Sequence, residues 1–374
     1  MSATPIFSLP DAAAAAGMLT ASGFDAGTAR YGVDAYRLVY RTVDPFGRPT
    51  TASGLLAVPR GLDGRLRVVS FAHGTGAHKG DAPSMQQRGF LPAPAVTYAS
   101  AGFAAVAPDY LGMGAGPGPH PWMDIPSETT ASLDMLRAAR EFAPTTGHRL
   151  DRDVMVTGFS QGASAALALG RALQSGQGHG FRLAALAPVS GAYDFSGAEL
   201  PALLDGRLEP KSSVVYAAYL LVSFQRLHHI YDAPSQVFNA PYADTVEALF
   251  DSSHTGAEIM QGLPATLDQL LTPYGRELLT HPNRAFTAAL RPLDQVCTNW
   301  TPRVPVRLYE AQNDEQAANT NTAHCATAMR RHGGTPETID VGPVDYHGSR
   351  HLGSNVAATA DIVRWFLALG DQRG

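Results

Sequence analysis

The stretch Asp153–Leu169 reads DVMVTGFSQGASAALAL. An apolar, β-branched run (VMV, 154–156) stops at Gly158, and a pattern of small residues at helical spacing begins just after Ser160. A strand ending in Gly-x-Ser-x-Gly and passing directly into a helix has a physical logic. A serine held up for chemistry must sit on a sharp turn with strained backbone angles, and side chains two residues to either side would collide. The helix that follows aims its dipole and free N–H groups at the same point, which favours an oxyanion. Gly158 and Gly162 flank Ser160 in that way. Two glycines around a serine can also be a plain tight turn, so the nucleophile reading demands partners elsewhere in the chain.

Those partners are a base and an acid, because a lone serine is a poor nucleophile. In a mostly parallel sheet the acid should follow the second-to-last strand. After VPVRLYEA (304–311) comes Asp314, with Glu315 beside it and Glu310 within the strand. Asp314 is the better placed, on the loop just past the strand. The histidine should follow the last strand. After ETIDVG (337–342) there are two candidates, His347 and His351, and spacing alone does not choose between them. A second oxyanion donor is expected from the turn FAHGTG (71–76), with Thr75 the donor and the N–H of Gln161 its companion. His73 in that turn is expected to be structural. The loop PDYLGMGAGPGPHPWMD (108–124) brings Asp109 and Tyr110 to the same sheet edge; Asp109 is read as bracing the loop.

The rest of the chain supplies the frame. AYRLVYRTVD (35–44) and TASGLLAVP (51–59), joined by PFGRPT, predict a hairpin. Short runs at 66–73, 103–110, 153–159, 183–190, 304–311 and 337–342, most of them apolar on both faces, predict strands of a buried parallel sheet. Helical patterns at 127–142, with Ser127 as N-cap, and at 162–174, 316–332 and 354–369 fall between them. The order predicts an α/β fold with a mostly parallel central sheet flanked by helices. From Phe195 to about Pro302 no buried strand is expected, only short helical pieces such as VVYAAYLLVSFQRLHHIY. The reading is a core of 1–194 and 303–374 with a helical cap, 195–302, inserted between the sixth and seventh strands, where open α/β sheets place ligands.

Bulk properties set the outer limits. The 374 residues carry 28 Lys and Arg against 33 Asp and Glu, a net charge of −5, with no basic stripe, so nucleic acid is not an expected partner. No apolar run is long enough for a membrane span. Two cysteines, Cys297 and Cys325, exclude a disulfide-dense scaffold and leave one disulfide open. The N-terminal MSATPIFSLPD has no basic leader. The compartment stays open: secreted or periplasmic if an export signal once preceded this chain, cytoplasmic otherwise.

With these residues in place the chain resembles the α/β-hydrolases, over about 35–369. More narrowly it is similar to fungal secretory lipases and their bacterial esterase relatives, through SFAHGTG (70–76), PDYLGMG (108–114) and the long helical insertion. In that family a helix tryptophan follows the base by fourteen residues. His351 precedes Trp365 by that interval (365 − 351 = 14), which favours His351 over His347. The resemblance also supports Ser160 and Asp314 by position. It implies a serine carboxylic-ester hydrolase (an esterase or lipase) with no metal or organic cofactor; the Tyr-, Leu- and Val-rich cap segment VVYAAYLLVSFQRLHHIY adds the expectation of a neutral ester of moderate size, aliphatic or aromatic. An amidase or peptidase using the same residues, or a non-catalytic binding protein on the same scaffold, are the alternatives. Family members are usually exported, whereas this chain shows no signal. Oligomeric state is not legible.

Overall fold

The computed structural model describes residues 1–371. Nine strands form one sheet: β1 (Ser2–Leu9), β2 (Gly32–Val43), β3 (Pro49–Arg60), β4 (Gly64–Ala72), β5 (Ala104–Pro108), β6 (His148–Phe159), β7 (Arg182–Val189), β8 (Arg307–Glu310) and β9 (Glu337–Asp340). Their spatial order is β1-β2-β3-β5-β4-β6-β7-β8-β9. β1 to β3 and the β3–β5 pair are antiparallel, and every later pair is parallel. The crossover of β5 outside β4 places β4 and β6 side by side, so the turns after Ala72 and Phe159 leave the same sheet edge together.

The expected hairpin forms, with Val43 paired to Pro49 across the turn. β1 lies outside the sequence reading. It is an edge strand interrupted by Pro5, where its register shifts, and it is largely exposed, so neither strong alternation nor apolar continuity marks it.

Helices cover both faces. One face carries α1 (Ala12–Ala21) and α2 (Ala93–Ser100), together with the C-terminal helix Arg350–Asp371; they share an apolar cluster that includes Leu19, Val96, Ile362 and Phe366. The other face carries α3 (Ile125–Phe142) and α4 (Gln161–Gln174). Between β7 and β8 come α5 (Leu200–Leu204), α6 (Pro210–His228), α7 (Pro234–Val237), α8 (Val246–Leu249), α9 (Gly256–Gly262), α10 (Leu267–Leu270), α11 (Pro273–Thr280) and α12 (Arg284–Asp294). Their buried residues, Tyr219, Phe250 and Phe286 among them, belong to the same cluster as Leu136 and Leu167 of α3 and α4. α13 (Thr320–Arg331) and α14 (Arg350–Asp371) complete the chain.

Three helix starts differ from expectation, α13 beginning at Thr320 instead of 316. α3 is capped by Asp124, whose carboxylate accepts from the N–H of Ser127, so Ser127 lies inside the first turn and is not the cap. α14 begins at Arg350 instead of 354, which moves His351 from a loop onto a helix. α1, read only as an alanine run, is capped by Asp11 accepting from Ala14 N–H at 2.8 Å. Cys297, just beyond α12, and Cys325 on α13 form a disulfide that ties the end of the insertion to α13. Closing a loop of this span is worth about 3–4 kcal/mol by chain entropy. Among the described residues no helix is long and apolar enough to cross a membrane.

Candidate active site

The turn at Ser160 is as tight as its glycines require. Ser160 has φ 57° and ψ −122°, in a region a serine adopts only under constraint. Its N–H donates to Val189 O at 2.9 Å, and its carbonyl accepts from Ala163 N–H at 2.9 Å. A Cβ on Gly158 would lie 2.1 Å from Gly162 O, and one on Gly162 would lie 2.1 Å from Ala72 O. No side chain fits either place. The requirement comes from close backbone approach, since neither glycine has positive φ.

The structure brings Ser160, His351 and Asp314 together in one chain of hydrogen bonds. His351 Nε2 lies 2.9 Å from Ser160 Oγ. His351 Nδ1 lies 2.9 Å from both Asp314 carboxylate oxygens. Asp314 Oδ1 also accepts from the N–H groups of Gln316 and Ala317, at 2.9 and 3.0 Å. Burial disfavours the Asp314 carboxylate, yet the charge of His351 and these hydrogen bonds outweigh it and hold its pKa below 3.8. Burial likewise disfavours a charged His351. Asp314, by charge and hydrogen bond, with Glu315 and Glu199, outweighs it and holds the imidazole above 6.5. His347 is not part of this chain. It stands at φ 53° in the preceding loop, its ring against Tyr346 at 4.4 Å.

Thr75, Gln161 and Ser160 line one cavity. Gln161 opens α4, whose N-terminus therefore points at Ser160. Thr75 Oγ1 accepts from Trp122 Nε1 at 3.1 Å, and Trp122 stacks on Tyr219 of α6 with ring centroids 4.7 Å apart. The turn holding Thr75 thus touches the inserted helices through this stacking and through Tyr219, whose hydroxyl donates to Gly76 O at 3.2 Å. Trp122, Met123, Ala192, Phe195 and Leu203 give the cavity apolar walls; Glu199, Tyr216 and Gln316 add polar ones.

His73 and Asp109 brace the loops, as expected. His73 Nδ1 lies 2.8 Å from Gly74 O. Asp109 accepts from Ser53 Oγ at 2.6 Å, Ser84 Oγ at 2.5 Å and Ser84 N–H at 3.0 Å. Tyr110, undecided from sequence, donates its hydroxyl to His73 O at 2.9 Å and is fully buried.

Two carboxyl groups at the site escaped the sequence reading in their present form. Glu315, weighed only as a rival acid, accepts from the backbone N–H of His351 at 3.3 Å, from Arg350 N–H at 3.1 Å and from Ser349 Oγ at 2.5 Å. It holds the first turn of the helix that carries His351. Glu128 accepts from Gln161 Nε2 at 2.7 Å, and the same amide nitrogen lies 2.9 Å from His120 Nε2. His120 Nδ1 lies 2.8 Å from Leu111 O, so its Nε2 is the acceptor for Gln161. Burial pushes Glu128 up to about 8 and His120 down to about 3, so both are neutral at pH 7. A signal for Glu128 existed: with Ile125, Ser132, Met135 and Ala139 it falls on the buried stripe of α3.

The sheet order, the strand–turn–helix at Ser160 and the insertion after β7 define the α/β-hydrolase fold. No protein-family model and no curated protein matches the sequence. Among solved structures, a Legionella pneumophila protein matches with TM-score 0.84 and 22% identity, covering 100% of this chain and 99% of that one. The rice cell wall degrading esterase LipA from Xanthomonas oryzae matches with TM-score 0.82 and 25% identity, covering 100% and 97%. Candida antarctica lipase A in its closed state matches with TM-score 0.61 and 13% identity, covering 93% and 77%. The structure therefore resembles esterases and lipases of this fold, as SFAHGTG and PDYLGMG imply.

Proposed function

We propose that the protein is a serine carboxylic-ester hydrolase acting through an acyl-enzyme. The observation that carries this reading is the 2.9 Å approach of His351 Nε2 to Ser160 Oγ, with Nδ1 held by Asp314. Ser160 Oγ attacks the ester carbonyl carbon while His351 takes its proton. The carbonyl oxygen, now negative, is held by the N–H groups of Thr75 and Gln161. The tetrahedral intermediate collapses, His351 protonates the leaving alcohol, and the acyl group stays on Ser160. Water, deprotonated by His351, attacks the acyl carbon, and the acid leaves as Ser160 recovers its proton. Asp314 orients the imidazole and stabilises its cation.

The cavity beside Ser160 has a volume of about 30 Å³, room for roughly one water. Residues 195–302 act in this reading as a cap whose helices must shift for an ester to enter. Trp122, Phe195 and Leu203 would then meet the apolar part of a neutral substrate of moderate size. The disulfide favours the secreted or periplasmic placement, because such bonds persist in oxidising compartments.

The test is hydrolysis of 4-nitrophenyl butyrate and of the matching 4-nitroanilide. Turnover of the ester by the wild type, with S160A reduced to background, is expected. Faster turnover of the anilide would favour the amidase reading, and turnover of neither would leave a binding protein.

A further inference from the structure

Glu199 lines the same cavity as Ser160, yet the steps above leave it unused, because the acid's place is filled by Asp314. It ends a one-turn π-helix, Phe195–Glu199, and is only 4% exposed. One carboxylate oxygen, Oε2, accepts from Ala318 N–H at 2.9 Å and from Asn321 Nδ2 at 2.6 Å, which fixes the group against the start of α13. The other oxygen, Oε1, accepts no hydrogen bond among the described residues. That oxygen keeps some accessible surface, and the cavity that Glu199 lines is the one that holds Ser160.

Burying a carboxyl group costs free energy unless its oxygens are matched. Here the protein matches one oxygen twice and leaves the other to whatever enters. Burial pushes Glu199 up to about 7, with Asp314 adding to the rise, so above that pH it presents an anionic acceptor. The neighbouring wall is polar as well, Tyr216 donating its hydroxyl to Gln316 Oε1 at 2.6 Å. Trp122, Met123 and Leu203 in the same lining are apolar, Trp122 stacking on Tyr216. A site for plain hydrocarbon chains has no use for such a mixed lining.

We propose that Glu199 is a specificity-determining residue whose Oε1 accepts a hydrogen bond from a hydroxyl group on the substrate, so that the preferred esters are hydroxylated near the ester bond. This rests on the ester-hydrolase reading and narrows its substrate class. The variant E199Q reverses the polarity of the site while keeping its shape. Its amide oxygen can take the two donors now on Oε2, and its NH₂ then offers a donor to the cavity.

Two substrate pairs test this at pH 8.5. Ethyl 3-hydroxybutyrate against ethyl 3-oxobutyrate places a donor or an acceptor on the acyl side. Glyceryl monobutyrate against acetonyl butyrate does so on the alcohol side. In one of the pairs the ratio of kcat/KM, hydroxyl over keto, is expected to fall by about tenfold or more on going from wild type to E199Q. E199L, which can neither accept nor donate, should bring the ratio between the two. Turnover with both ratios unchanged in E199Q overturns this inference alone. Turnover of 4-nitrophenyl butyrate by the wild type with none of the four esters accepted also overturns this inference alone; no turnover of any of the five esters overturns the esterase reading and this inference with it.

Discussion

Two neighbouring carboxylates on one loop hold opposite ends of His351: Asp314 takes the ring Nδ1 at 2.9 Å, and Glu315 takes the backbone N–H at 3.3 Å. Asp314 sets the tautomer, while Glu315 anchors the helix turn that aims the ring. Removing the anchor should loosen the imidazole and take away one of the lesser charges that raise its pKa. E315A is expected to lower kcat about tenfold with little change in KM, consistent with about 1–2 kcal/mol for a helix-capping group. E315Q should recover most of the loss. Initial rates on 4-nitrophenyl butyrate for the three proteins check this; equal kcat values would remove Glu315 from the positioning of His351.

The pH profile follows from the same pair. In the proposed mechanism His351 acts as base only when neutral, and its pKa is held above 6.5, chiefly by Asp314 acting against burial. Activity should therefore fall as pH drops through a value above 6.5, in the acid limb of kcat/KM. D314N removes the charge that raises the pKa, so the limb should move to lower pH while kcat falls about 10³–10⁴-fold. An acid limb unmoved by D314N would contradict the coupling.

The glycines at the turn carry a stability prediction. In G158A or G162A the new methyl would meet a backbone oxygen at 2.1 Å, and both collision partners are main chain. Each variant should lose several kcat-independent kcal/mol of stability, of the size seen for severe core overpacking, about 2–4 kcal/mol. S160A should keep the wild-type midpoint in guanidinium chloride. An unshifted midpoint for either glycine variant would mean the turn can relax.

Glu128 links stability to pH. Its carboxyl is held at about 8 by burial, against 4.5 for an ordinary glutamate. A group raised in the folded state favours folding at low pH and loses that contribution as pH rises through its folded value. Wild type should therefore weaken between about pH 5 and pH 9 more than E128Q, which keeps an acceptor for Gln161 but cannot ionise. Denaturant midpoints of both proteins at the two pH values test this; parallel changes would contradict it.

Much of this architecture was legible because it is local. The strand, turn and helix around Ser160 lie within seventeen consecutive residues, and the buried strands β4 to β7 announce themselves as apolar runs. Asp314 and the histidine pair followed from strand order. What escaped depends on contacts between distant segments. β1 is exposed and broken by Pro5, so its place depends on pairing with β2. Strand order alone did not separate His351 from His347, and only the resemblance with its Trp365 interval favoured His351; the geometry turns on where α14 starts, where Glu315 accepts from His351 N–H across 36 residues of chain. Glu199 has no periodic pattern around it, and only the fold brings it beside Ser160.

The most direct measurement of the central claim is intact mass after treatment with a fluorophosphonate, which phosphonylates an activated serine. Wild type should gain one adduct, mapped by peptide digestion to Ser160. S160A should gain none, H351A should label far more slowly, and H347A should label at close to the wild-type rate. No adduct on the wild type, or an undiminished adduct on S160A, would contradict the account.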